Sequence, residues 1–137
     1  MGSTTVKLAV LNDDNQIVYA KYQRHHTDVR ACARDLFEGA ATVLPTAQMT
    51  CAITGSGGLL LSQWLELEFV QEVIASKRAV ETLIPATDVA IELGGEDAKI
   101  IYFDNGIEQR MNGTCAGGTG AFIDQMATLL HTDASGL

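Results

Sequence analysis

Residues 89–111, VAIELGGEDAKIIYFDNGIEQRM, interrupt a run of strand-type apolar alternation twice, at Gly94-Gly95 and again at Asp104-Asn105-Gly106. Asn-Gly between apolar alternations is a strong hairpin signal, because both central positions of the favoured turn need a left-handed backbone. The segment therefore predicts strand, tight glycine turn, strand, turn, strand. A second hairpin is expected nearer the start, from TTVKLAVLN (4–12) and IVYAKYQRH (17–25) around the turn cluster DDNQ. Thr27 or Asp28 caps a helix that runs to about Leu44, with Cys32, Leu36, Ala40 and Val43 as its apolar stripe and Pro45 as its stop. MTCAITGSGG (49–58) reads as a short buried strand entering a glycine turn. Residues 59–83 read as helix in two pieces ended by Pro85, and residues 119–130 as a helix with Phe122, Met126, Leu129 and Leu130 on one face. The order is hairpin, helix, strand, helix, hairpin, helix. That is an α/β chain with a mixed sheet flanked by helices.

Composition narrows the function. Of 137 residues, 47% are apolar, enough for a packed core, and the net charge is −8. A surface that binds nucleic acid non-specifically needs a basic face, so no nucleic-acid partner is expected. No apolar stretch approaches the roughly 20 residues that span a bilayer, so no membrane partner is expected. The opening MGSTTVKLAV lacks the basic-then-apolar pattern of a secretion signal, and the expected location is cytoplasmic. Three cysteines, Cys32, Cys51 and Cys115, fit no disulfide, zinc or thioredoxin spacing. Cys32 and Cys51 sit in apolar company and read as small core residues. Cys115 does not.

Four glycine turns remain to be explained. GSTTVK (2–7) offers backbone N–H groups, hydroxyls and Lys7 to a phosphate, although it is no Walker motif. ELGGEDAKI (92–100) can form a hairpin with outward N–H groups, flanked by Glu92, Glu96 and Asp97. Carboxylates beside a phosphate turn suit a hydrated Mg²⁺, and an acid there can orient an attacking water; a plain hairpin with solvated acids is the competing reading. In TCAGGTG (114–120), Cys115 precedes a glycine-rich entry into a helix, where a thiol is acidified. No histidine stands in a recognisable partnership with it, and one cysteine cannot hold an iron–sulfur cluster unless a second subunit supplies more thiolates. TGSGG (54–58) needs no explanation beyond a strand-to-helix connection, though it can also shape a nucleotide cleft.

Taken in order, GSTTVK, ITGSGG, ELGGEDAKI and MNGTCAGGTGAFIDQMA (111–127) resemble the BadF/BadG/BcrA/BcrD ATPase family across essentially the whole chain. These are the ATP-dependent activators of 2-hydroxyacyl-CoA dehydratases and the ATPase subunits of benzoyl-CoA reductases. The last segment is the most specific, because the family carries its cluster cysteine in a matching run. The resemblance implies the actin-like ATPase fold built from two RNase H-like halves, with ATP between them. It implies a homodimer sharing one four-iron, four-sulfur cluster, and ATP-driven transfer of a low-potential electron to a dehydratase or reductase component. On this likeness Ser3, Thr4, Thr5 and Lys7 match the first phosphate loop, Gly94, Gly95, Glu96 and Asp97 the second, and Cys115 the first cluster ligand. The helix from about Thr119 would aim its N-terminus at the cluster. ATP, Mg²⁺ and the cluster are the implied cofactors.

The departures bear on completeness. The family's first phosphate loop follows a strand ending in aspartate, and only Met1 stands there, so the first strand is expected to be missing. Glu92 stands where the family often has Asp. The second cluster cysteine and the adenosine-binding half would lie beyond residue 137. Residues 1–137 therefore read as a single N-terminal activase half-domain, a fragment of a longer ATPase and inactive by itself. Two other readings stay open: a fragment of a sugar-kinase-like phosphotransferase of the same fold, which has no use for a thiolate at position 115, and a non-catalytic interaction module. The acyl-CoA substrate would be chosen by the partner and is not written in this chain.

Overall fold

A computed structural model describes residues 1–46, 48–103, 106–112 and 117–136. Cys115, Asp104 and Asn105 lie outside the described residues. The chain forms two compact units, Met1–Val70 and Gln71–Leu137.

In the first unit, β1 (Thr5–Leu11) and β2 (Ile17–Arg24) form the expected antiparallel hairpin, with Thr5 opposite Arg24 and a register shift at Val10/Leu11. Local chemistry makes the turn. The Asn12 side-chain oxygen accepts from the N–H groups of Asp14 and Gln16, and Asn15 takes a left-handed φ of 59°. α1 (Val29–Val43) starts where Asp28 Oδ1 accepts from Ala31 N at 3.0 Å, so the cap is Asp28 and not Thr27. It ends at Leu44, whose backbone is non-helical ahead of Pro45. Cys32, Leu36 and Ala40 are buried as expected, and Ala33 with them. Cys32 and Leu36 pack on Val6 of β1, while Ala33 packs on Ile53 and Leu61. Val43, at the end of the stripe, is exposed. Cys51 is half-buried rather than a core residue.

Residues 59–83 hold the expected two helical pieces, with a short strand between them that the pattern did not announce. α2 (Gly58–Leu65) stops at Glu66, which turns left-handed at φ 53°. The chain then forms β4 (Glu68–Val70), parallel to β3 (Ala52–Thr54), before α3 (Glu72–Leu83) begins. A three-residue strand has no periodicity to read, and its partner lies 16 residues away in register (Ala52 with Glu68).

In the second unit, β5 (Val89–Leu93), β6 (Ala98–Tyr102) and β7 (Glu108–Met111) form the predicted antiparallel meander. α4 (Gly120–Leu129) follows as expected. Its buried residue is Ala127, whereas Phe122, Leu129 and Leu130 of the expected apolar face are exposed. Among the described residues no helix is long and apolar enough to cross a membrane.

Leu36 is 1% exposed in the first unit's core. Leu36→Ala is expected to cost about 2–5 kcal/mol and Asp28→Ala about 1 kcal/mol. Urea unfolding checks both; equal costs would mean that α1 is held by its cap rather than by its buried stripe.

Candidate functional site

The two expected phosphate loops fall in different units. In the first, the Gly2 N–H donates to the Thr5 carbonyl at 2.9 Å and closes the turn. Ser3 is exposed, Thr4 half-buried and Thr5 buried. Lys7 lies on the outward face of β1, its ammonium 5.5 Å from the centre of the Tyr22 ring, its cross-strand neighbour. The ITGSGG turn closes on the same segment. The Met1 amino group donates to the Thr54 carbonyl, and Gly57 N donates to the Met1 carbonyl at 3.3 Å. Gly55 has φ 103°, and a Cβ there would overlap the Met1 backbone, so this position takes only glycine. Beside it, the Thr54 hydroxyl is closed off from solvent with no hydrogen-bond partner among the described residues. A buried unpaired hydroxyl costs about 1–3 kcal/mol.

In the second unit, the turn between β5 and β6 is closed by Gly94 N donating to the Asp97 carbonyl at 2.8 Å. The Gly94 N–H therefore points into the turn, where outward N–H groups were expected. The turn's carbonyls are also engaged: Gly120 N donates to Gly94 O at 2.8 Å and Ala121 N to Gly95 O at 2.9 Å. These are two of the N–H groups that a helix start leaves unpaired. The first amides of α4 are thus spent on the glycine turn. Asn112 ties the preceding strand in, its N–H donating to Ala98 O at 2.9 Å and its side chain to Gly117 O at 3.2 Å.

The charged group of this unit was not anticipated. Lys99 has a side chain only 7% exposed, and its ammonium meets Asp97 Oδ2 at 2.7 Å, Glu72 Oε2 at 3.1 Å and Glu92 Oε2 at 3.4 Å. Burial pulls the Lys99 pKa down. Hydrogen bonds to Asp97 and Glu72 and the charge of Glu92 outweigh that, and hold the ammonium above the ordinary lysine range. Glu92 and Lys99 are a cross-strand pair, so mirroring charges about the glycine turn would have found them. Asp97 is held from both sides: a Cβ on Gly94 would collide with its Oδ1. Glu96 is exposed. Of the acids flanking the turn, the structure gathers Glu92 and Asp97 on Lys99. The predicted metal ligand Cys115 is outside the described residues, and among those residues no group of three or more His, Cys, Asp or Glu side chains is arranged to hold a metal ion.

Two outcomes follow. Thr54→Val removes an unpaired hydroxyl at constant shape and should leave the unfolding midpoint unchanged or raised; a clear loss of stability would show that the hydroxyl has a partner. Lys99's pKa is raised in the folded chain, so its contribution is complete below about pH 10, the unfolded value, and fades only as pH climbs through the higher folded value. The stability difference between the wild type and Lys99→Met should then stay constant from about pH 7 to about pH 10. Urea midpoints measured across that range check it, and a difference shrinking already near pH 8 would refute it.

The comparisons with known proteins agree on one family. The BadF/BadG/BcrA/BcrD ATPase family model matches residues 1–136. The 2-hydroxyisocaproyl-CoA dehydratase activator of Clostridioides difficile is 30% identical over 142 residues, covering 100% of this chain and 53% of the relative. The (R)-2-hydroxyglutaryl-CoA dehydratase activating ATPase of Acidaminococcus fermentans is 30% identical over 145 residues, covering 100% of this chain and 54% of that protein. Among solved structures, the C. difficile activator with bound ADPNP superposes with a TM-score of 0.81 at 28% identity, over 98% of this chain and 52% of that one. The A. fermentans dehydratase component A gives 0.83 at 25% identity, over 98% and 53%. The chain spans about half the length of the curated relatives it matches. It has the α/β fold of these activators over that span, and it belongs to the BadF/BadG/BcrA/BcrD ATPase family.

Proposed function

We propose that this chain is the N-terminal, RNase H-like half of an ATP-dependent activator that passes a low-potential electron to a 2-hydroxyacyl-CoA dehydratase or benzoyl-CoA reductase component. The observation that carries the reading is the pair of hydrogen bonds from the start of α4 to the Gly94-Gly95 turn. It joins the expected phosphate turn directly to the helix that follows Cys115, within one unit. An activator needs these two places in register; an isolated hairpin does not.

The residues fit a nucleotide with its cation. Asp97 and Glu92 meet at one ammonium, which brings two carboxylates together beside the turn. Asp97 and Glu92, each about one-third exposed, are reachable from solvent, and Mg²⁺ is commonly held by one or two carboxylates together with phosphates and water. In the first loop, Ser3, Thr4 and Thr5 would face phosphate oxygens with Lys7 nearby. Gly94, Gly95, Glu96 and Asp97 form the second loop. Bound Mg²⁺ would supply charge neutralisation at the phosphates. The chain's own part is to place Asp97 and to exclude side chains from position 94. Cys115 would be one thiolate ligand of a four-iron, four-sulfur cluster shared across a homodimer, the cluster supplying the one-electron chemistry. The first amides of α4 serve the glycine turn, so any field at that cluster would come from the helix as a whole.

The full-length protein, reconstituted with iron and sulfide without oxygen, should absorb in the visible region and bind ADPNP with Mg²⁺. Cys115→Ser should remove the absorption and leave nucleotide binding in place. Asp97→Asn should weaken ADPNP binding at least about tenfold, about 1.4 kcal/mol. Retention of the full iron–sulfur spectrum by Cys115→Ser would overturn the cluster assignment.

A further inference from the structure

We propose that Lys99 is the positioning residue of this nucleotide site: its ammonium fixes where the Asp97 and Glu92 carboxylates stand, so that a phosphate-bound divalent cation meets them in one arrangement. This rests on the reading of the Gly94–Asp97 turn as a phosphate loop.

Lysine is among the side chains least often buried, and then it is paired. A glycine hairpin does not need a buried cation, yet this one has a lysine side chain 7% exposed among three acids. The layering is specific. The Lys99 side chain is 7% exposed, while those of Asp97 and Glu92 are each 36% exposed. Each gives one oxygen to the ammonium, Oδ2 at 2.7 Å and Oε2 at 3.4 Å. The other Asp97 oxygen fills the space that a side chain on Gly94 would take. The Asp97 carboxylate is therefore clamped between the ammonium and a position without a side chain. Lys99 itself is too buried to reach a ligand, so it acts through the acids. Mg²⁺ demands near-ideal octahedral geometry, and a site of this kind works only when its groups are held within about 0.5 Å. Glu72, the first residue of α3, is the third acid on the ammonium and makes Lys99 a tie between α3 and the hairpin as well. A tie alone is the competing explanation, and it predicts a different pattern of variants.

The test uses the full-length ATPase, with Mn²⁺ in place of Mg²⁺ as an electron paramagnetic resonance probe of the ADPNP complex. Lys99→Met should lower kcat for ATP hydrolysis about tenfold or more with KM for ATP little changed, and should alter the Mn²⁺ spectrum. Glu72→Gln loosens the tie without touching Asp97 or Glu92; it should lower the melting temperature and leave kcat and the spectrum as they are. Lys99→Arg keeps the charge but holds the oxygens at another spacing. It should fall between wild type and Lys99→Met in kcat, with an altered spectrum, and it carries the test if Lys99→Met does not fold. An indifferent Lys99→Met, a Glu72→Gln that reproduces its loss, or a Lys99→Arg with a wild-type spectrum overturns the proposal. A wild-type protein that binds no Mn²⁺–ADPNP would instead sink the nucleotide reading, and this proposal with it.

Discussion

The second unit depends on a lysine kept out of water. Three acids converge on the Lys99 ammonium: Glu92 faces it across the strand pair, Asp97 reaches it from the glycine turn, and Glu72 opens α3 beside it. A buried charge of this kind is tolerable only when its partners are close, because desolvation outweighs Coulomb attraction at longer range. The short contacts with three acids meet that condition. The cost falls on the sheet face. Glu92 and Lys99 occupy the same face as buried Ile101, and Ile91 and Leu93 consequently point to the exposed one.

The first unit is held differently, by apolar packing on two sides of one helix. Cys32 and Leu36 of α1 meet the hairpin, and Ala33 meets β3 and α2. Burial in this company, with Asp35 and Asp28 nearby, raises the Cys32 thiol pKa and keeps it protonated and inert. Its glycine turn shows the same logic as the second unit's turn: Gly55 exists so that the Met1 backbone can pass close to it. In both units a neighbour's position requires the glycine, and at Gly55 the left-handed backbone requires it as well.

What could be read in advance was whatever local chemistry decides. The hairpins were legible because Asn12 and the glycine pair carry their own turn instructions. The start of α1 was legible to within one residue because a capping carboxylate is a local signal. β4 was not, since three residues in parallel register with a distant strand leave no periodic trace. The exposure of that face of α4 was not legible for a related reason: amphipathic spacing says which residues share a side, and not whether anything covers them. At the candidate site, the glycines and Asp97 were evident as a pattern. Lys99 was passed over because a lysine in a strand reads as solvated unless the register across the turn is worked out.

The contact between Gly94 and Asp97 has a consequence for how this stretch can change over generations. While the aspartate keeps its place, any replacement at position 94 meets an occupied volume. The dependence runs one way: a side chain at position 94 gains room only after the aspartate has moved or been lost, so change at position 97 has to come first.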